Sequence, residues 1–127
     1  MLFLVKLFVI KYTFLFKFEV VILNSWILLF LAGLFEVSWA VGLKFTQGFS
    51  KLLPSILTAA GMILSFVFLS LALKKLPLSI AYAVWTGIGI VGTSILGVIL
   101  FNEAVSPLKI LFVSFIFIGI LGLRFIN

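Results

Sequence analysis

The sequence contains no cysteine and no histidine, and only three of its 127 residues are acidic: Glu19, Glu36 and Glu103. Without thiols there are no disulfides, thiolate nucleophiles or cysteine-ligated zinc sites, and without imidazole the commonest general base and metal ligand is missing. Too little reactive chemistry remains to build an active site, so neither an enzyme nor a cofactor or metal site is expected. Charge is equally scarce. Only 9% of residues are charged, against ~25% in soluble domains, and a globule of this size lacks the polar surface to face water. Hydrocarbon takes its place: 65% of residues are hydrophobic and the mean hydropathy is +1.50, the composition of a membrane protein. The nine Lys and Arg residues form no basic stripe or aromatic-basic module, so nucleic acid is not expected as a partner. In so apolar a chain they read as topology signals at membrane edges.

Charges and helix breakers divide the chain into apolar segments over residues 26–43, 53–73, 78–101 and 108–123. A helix crossing ~30 Å of hydrocarbon needs about 20 residues, far longer than a buried strand, and only a helix satisfies its own backbone groups inside lipid. Pro54 suits an early helical position, and Lys74-Lys75-Leu76-Pro77 closes the second segment. The expected fold is all-α, with four transmembrane helices joined by short loops in one domain over residues 23–127.

Residues 1–22 break this pattern. They hold no Gly, Ala, Pro or Arg, but intersperse Lys6, Lys11, Lys17 and Glu19 among bulky apolar residues. A fifth span would bury several charges at about 2.5–3.5 kcal/mol each near the bilayer centre. The stretch lacks the uninterrupted apolar core and small-residue cleavage site of a signal peptide, and its lysines do not share one helical face. Phe, Ile, Lys, Tyr and Leu have AT-rich codons, which suggests upstream sequence read in frame, with the native start near Leu23.

The positive-inside rule can be applied to the rest. Four spans put Lys74, Lys75 and Arg124 on one side of the membrane and Lys44, Lys51 and Lys109 on the other. An even tally gives no orientation signal, so copies are expected to insert both ways. A four-helix chain is too small to enclose a solute path alone. An antiparallel homodimer of oppositely inserted copies supplies the inverted repeat that secondary transporters use for alternating access.

Glu36 lies deep in the first span, and an ionisable group there is a functional-site hypothesis in its own right. Desolvation disfavours the bare carboxylate, so the group can hold a proton or, once ionised, a cation, and the two compete for one site. The plain alternative is a neutral structural glutamate bonded to another helix. Gly33 and Trp39 flank it at i−3 and i+3, sharing its face, and the indole can hold the carboxylate or present its ring to a cation. In the third span Tyr82 and Trp85 repeat the i, i+3 spacing, offering a phenol and a second aromatic wall. Ser65 is the most central hydroxyl of the second span, although membrane serines usually bond their own i−4 carbonyl. Gly87, Gly89 and Gly92 mark a place where the third helix can bend or pack closely. Ser114, Gly119 and Gly122 are small residues in a bulky fourth segment and suggest a seam between copies. Glu103 reads as a solvated loop residue near Lys109.

The segments FEVSWAVGLKFTQGF (residues 35–49) and LPLSIAYAVWTGIGIVG (residues 76–92) carry a family likeness. Residues 26–127 resemble the small multidrug resistance transporters, and within them the guanidinium-exporter subtype. The resemblance implies four-helix subunits, dual-topology antiparallel homodimers, and antiport of protons against a small cation at a membrane-embedded glutamate of the inner membrane. By position, Glu36 looks like the shared proton and substrate site. Trp39, Ser65, Tyr82 and Trp85 would line it, with Gly33 leaving room beside the carboxylate. Trp39 is the discriminating residue: the multidrug branch has glycine there, whereas a tryptophan fills that volume and favours a small planar cation whose N–H groups pair with a carboxylate. Ser79 and Asn102 stand where the family commonly has glycine, and Leu111 occupies a helix-four position that is usually small.

The expected function is therefore proton-coupled export of guanidinium and small guanidinyl cations, driven by the proton gradient without a cofactor. Within the same class the alternative is a multidrug exporter of quaternary-ammonium cations; outside it, a non-transporting accessory subunit. Mass spectrometry of the mature protein is expected to place its N-terminus near Leu23, and a peptide covering residues 1–22 overturns that start.

Overall fold

The computed structural model describes residues 1–22 and 24–126, so Leu23, the expected start, and Asn127 lie outside the described residues. Five helices follow in order: α1 (Leu2–Ile22), α2 (Ser25–Phe45), α3 (Leu52–Ala72), α4 (Leu78–Phe101) and α5 (Pro107–Ile126), with no strand among the described residues. The last four are long and apolar enough to cross a membrane, as the segment pattern predicts. α1 is a continuous helix because nothing in its 21 residues breaks one. It is not among the candidate spans, and none of its described side chains belongs to the buried core.

The helix ends explain the short loops. Asn24 caps α2, its side chain accepting the Trp26 N–H at 2.9 Å and satisfying one first-turn donor. At the other end Thr46 is buried, and its hydroxyl donates to the Leu43 carbonyl and accepts the Phe49 N–H. Gln47, Gly48 and Phe49 then take positive φ, which turns the chain back into α3. α4 ends at Asn102 with φ of 52°, in the left-handed region. Asparagine tolerates that conformation better than most residues, so the loop geometry that glycine would give survives the departure from the family pattern. Glu103 next folds back over Gly97 and meets the Lys109 ammonium at 3.3 Å, an exposed pair in the loop where the sequence places it.

α2 is the central helix: α3 and α4 pack against it, and α5 packs on α4. The core gathers Leu28, Leu29 and Ala32 with Leu69 and Ala72 of α3 and Ala81, Val84 and Trp85 of α4. Lipid tails are as apolar as leucine, so burial of oily surface does not drive helices together in a bilayer; close packing must. The α2–α4 contact shows how. A Cβ on Gly33 would lie 2.7 Å from Ile88, and one on Gly89 would lie 2.8 Å from the Glu36 side chain, while Val37 fills the place of a side chain on Gly92. Ile120 of α5 occupies the corresponding space at Gly87, 2.6 Å from a Cβ there. The α4 glycines are thus sockets for neighbouring side chains along one unbroken helix.

α5 differs. None of its residues is buried, and Ser114, Gly119 and Gly122 are exposed, with open space around a Cβ at either glycine. Leu111 is exposed as well. The face expected to form a seam between copies therefore points away from its own subunit.

The socket at Gly92 is the least forgiving, because β-branched Val37 has little rotamer freedom in a helix. Gly92→Ala is expected to destabilise the bundle by about 1–3 kcal/mol, the usual cost of overpacking, measured as a shift in the denaturation midpoint in detergent.

Candidate functional site

Glu36 is the twelfth residue of the 21 in α2, roughly 16 Å from the helix start by the rise of an α-helix, close to the middle of the span. Its carboxylate is half-buried and turned toward α3 and α4. One turn along the same helix, the Trp39 indole N–H donates to Glu36 Oε2 at 2.7 Å. From α3, the Ser65 hydroxyl lies 3.4 Å from the same oxygen and 2.8 Å from the Ala32 carbonyl of α2. From α4, the Trp85 indole N–H donates to Ser65 Oγ at 2.9 Å. Three spanning helices thus meet at one carboxylate through a chain of bonds, Trp85 to Ser65 to α2.

Directionality decides what Ser65 can do. Its oxygen accepts from Trp85, so its single hydrogen must choose between the Ala32 carbonyl and Glu36. The shorter distance favours Ala32. The hydroxyl turns across to α2 rather than to its own i−4 carbonyl, which is the usual habit of a membrane serine. The principal protein donor on the carboxylate is therefore Trp39, and Glu36 Oε1 has no donor among the described residues.

Most residues singled out in the sequence converge here, with two differences. The Tyr82 ring lies against Trp85 with centroids 5.2 Å apart, but its hydroxyl makes no hydrogen bond to Glu36 among the described residues. The room beside the carboxylate comes from Gly89 rather than Gly33, whose missing side chain is replaced by Ile88.

Sequence reasoning missed three contributors. Gly61 lets α3 approach until a Cβ there would lie 3.4 Å from the Trp39 Cβ, which steadies the indole; its position one turn before Ser65 is a signal that was available. The Ala32 carbonyl carries no side-chain signature. Phe66 sets its ring edge-on to Trp85 at 5.9 Å, and nothing marks it out among sixteen phenylalanines. No cluster of acidic side chains able to hold a metal occurs among the described residues.

Four apolar helices, three of them meeting at one intramembrane carboxylate, define a multi-pass membrane protein with a single acidic side chain inside its spans among the described residues. The chain belongs to the small multidrug resistance family, whose model, described as Small Multidrug Resistance protein, matches residues 24–116. Over 100 residues it is 54% identical to a guanidinium exporter of Salmonella typhimurium, covering 79% of this chain and 95% of that protein. A guanidinium exporter of Escherichia coli (strain K12) is 52% identical over the same shares, and one from Proteus vulgaris is 54% identical over 79% and 96%. With exporters as relatives, the chain is a transport protein of the bacterial inner membrane and not an enzyme.

Removing the Ser65 hydroxyl leaves the buried Trp85 indole without its acceptor. Ser65→Ala is expected to cost about 1–3 kcal/mol of stability, seen by chemical denaturation in detergent, and to change the Trp fluorescence of the folded protein.

Proposed function

We propose that the chain exports guanidinium in exchange for protons at Glu36, working as an antiparallel homodimer of oppositely inserted copies. The observation that carries this reading is the Trp39–Glu36 bond at 2.7 Å, which places an indole beside the carboxylate and leaves Oε1 open. Guanidinium is planar, weakly hydrated and rich in N–H donors, so it can pair with a carboxylate while lying against an aromatic face. A bulky quaternary ammonium has no N–H to offer and meets the Trp39 ring where it needs volume. The names of the relatives support the same substrate.

Coupling follows from competition. A proton and a cation bind the same oxygens, so each must leave before the other enters, and the inward proton gradient drives the cation out. Two Glu36 carboxylates per dimer set a ceiling of two protons per cation. Ser65, Tyr82 and Trp85 complete the pocket in this reading, with Gly89 giving the room beside the carboxylate and Gly33 seating Ile88 behind it, and the outward face with Ser114, Gly119 and Gly122 meets the second copy. The working domain comprises residues 23–127, in keeping with the 100 residues shared with the relatives.

Purified protein in liposomes is expected to take up guanidinium when a proton gradient is imposed, and Glu36→Gln is expected to lower the rate at least a hundredfold. Trp39→Gly should admit lipophilic cations that the unaltered chain rejects. Preferential transport of a bulky quaternary ammonium by the unaltered chain would identify a multidrug exporter, and an unchanged phenotype in Glu36→Gln would identify an accessory subunit. Because the chain has no cysteine, Ser50→Cys reports orientation directly: labelling from both sides of the membrane in similar shares is expected, and one-sided labelling overturns dual insertion.

A further inference from the structure

Arg124 stands in the last turn of α5, with its guanidinium 4.5 Å from the Trp26 ring centroid at the start of α2. It makes no ion pair among the described residues. Below it, α2, α4 and α5 enclose an open groove of about 220 Å³ that reaches Arg124 and Trp26 at its rim. A second groove of about 440 Å³ continues from it, sharing Phe30, Ile88, Ile120 and Leu121. Apart from the Trp26 indole and Arg124, every lining side chain of both among the described residues is apolar.

The length of this channel identifies what fits it. It runs along α2 from Trp26 to Val37 and along α4 from Val84 to Leu96. Eleven or twelve residue steps at ~1.5 Å each give roughly 17 Å, about the depth of one leaflet in a hydrocarbon core of ~30 Å. Alternating spans put Lys74 and Lys75 at the same end of the bundle as Arg124, so that end carries a positive field. No described residue of α1 lines the groove, and it lies on the opposite side of the α2–α4 contact from Ser65 and Trp39.

We propose that this groove is a binding site for one anionic phospholipid, with its phosphate on the Arg124 guanidinium and one acyl chain lying between α2, α4 and α5. The lipid supplies the counter-charge that Arg124 lacks and fills the void that α5 leaves by touching α2 only at its end. It thereby becomes part of the packing of a helix none of whose residues is fully buried against its own chain.

Native mass spectrometry of the purified full chain with added lipid tests this. Phosphatidylglycerol is expected to be retained about fivefold more than phosphatidylcholine with the same acyl chains, the pull of one basic side chain on an anionic headgroup. Arg124→Gln should bring the two lipids to parity. Leu121→Trp, which fills the groove, should reduce retention of both while circular dichroism stays that of the unaltered chain. Equal retention of the two lipids by the unaltered chain, a preference that survives Arg124→Gln, or full retention by Leu121→Trp each overturns the proposal. So does a groove that holds no lipid and whose filling by Leu121→Trp splits the dimer, because a second copy is then its occupant.

Discussion

A carboxylate halfway across a bilayer needs partners, since an ionised acid at the centre of a span costs about 2.5–3.5 kcal/mol on insertion scales. The surroundings of Glu36 supply them from three helices. Trp39 gives a full-strength hydrogen bond at 2.7 Å, Ser65 stands by at 3.4 Å, and Gly89 opens the space the side chain occupies. Trp85 holds Ser65, and Ser65 in turn ties α3 to the backbone of α2. The network is both the candidate site and a large part of the polar adhesive between helices. Any change to its members is felt as loss of packing and loss of chemistry together.

The rest of the bundle is held by shape. Gly33 and Gly92 exchange places with Ile88 and Val37 across one contact, small against large in both directions, with the Glu36–Gly89 pair between them. The same surface thus carries the tightest apolar fit and, among the described residues, the only acidic side chain inside a spanning helix. α5 joins this scheme only at Gly87, where Ile120 sits, and is otherwise attached through α4 along its length and through the Arg124–Trp26 contact at its end.

Much of this was legible in the sequence. Segment lengths and breakers locate the four spans, and one acid in a long apolar run points to the site, because hydrocarbon makes charge expensive and helical spacing makes neighbours countable. Trp39 follows from Glu36 by periodicity on a single helix. What spacing cannot supply is the rotation of one helix against another, which is why the room beside the carboxylate was assigned to Gly33 when Gly89 of α4 provides it. A hydroxyl's choice of acceptor is equally hidden: Ser65 reaches the Ala32 carbonyl, and backbone acceptors look the same at every position of a sequence. The helical state of α1 follows from composition, whereas its charges keep it from the spanning set.

The position of Trp39 on the same helix as Glu36 has a consequence for biogenesis. Helices leave the ribosome in chain order, so α2 reaches the lipid ahead of α3 and α4. Until Ser65 and Gly89 join it there, the carboxylate's side-chain donor is the indole three residues further along its own helix. Each later helix then finds a partner already in place: α3 and α4 dock on α2, and α5 docks on α4. The bond that holds the acid in the folded bundle is thus also the one available to shelter it during membrane insertion.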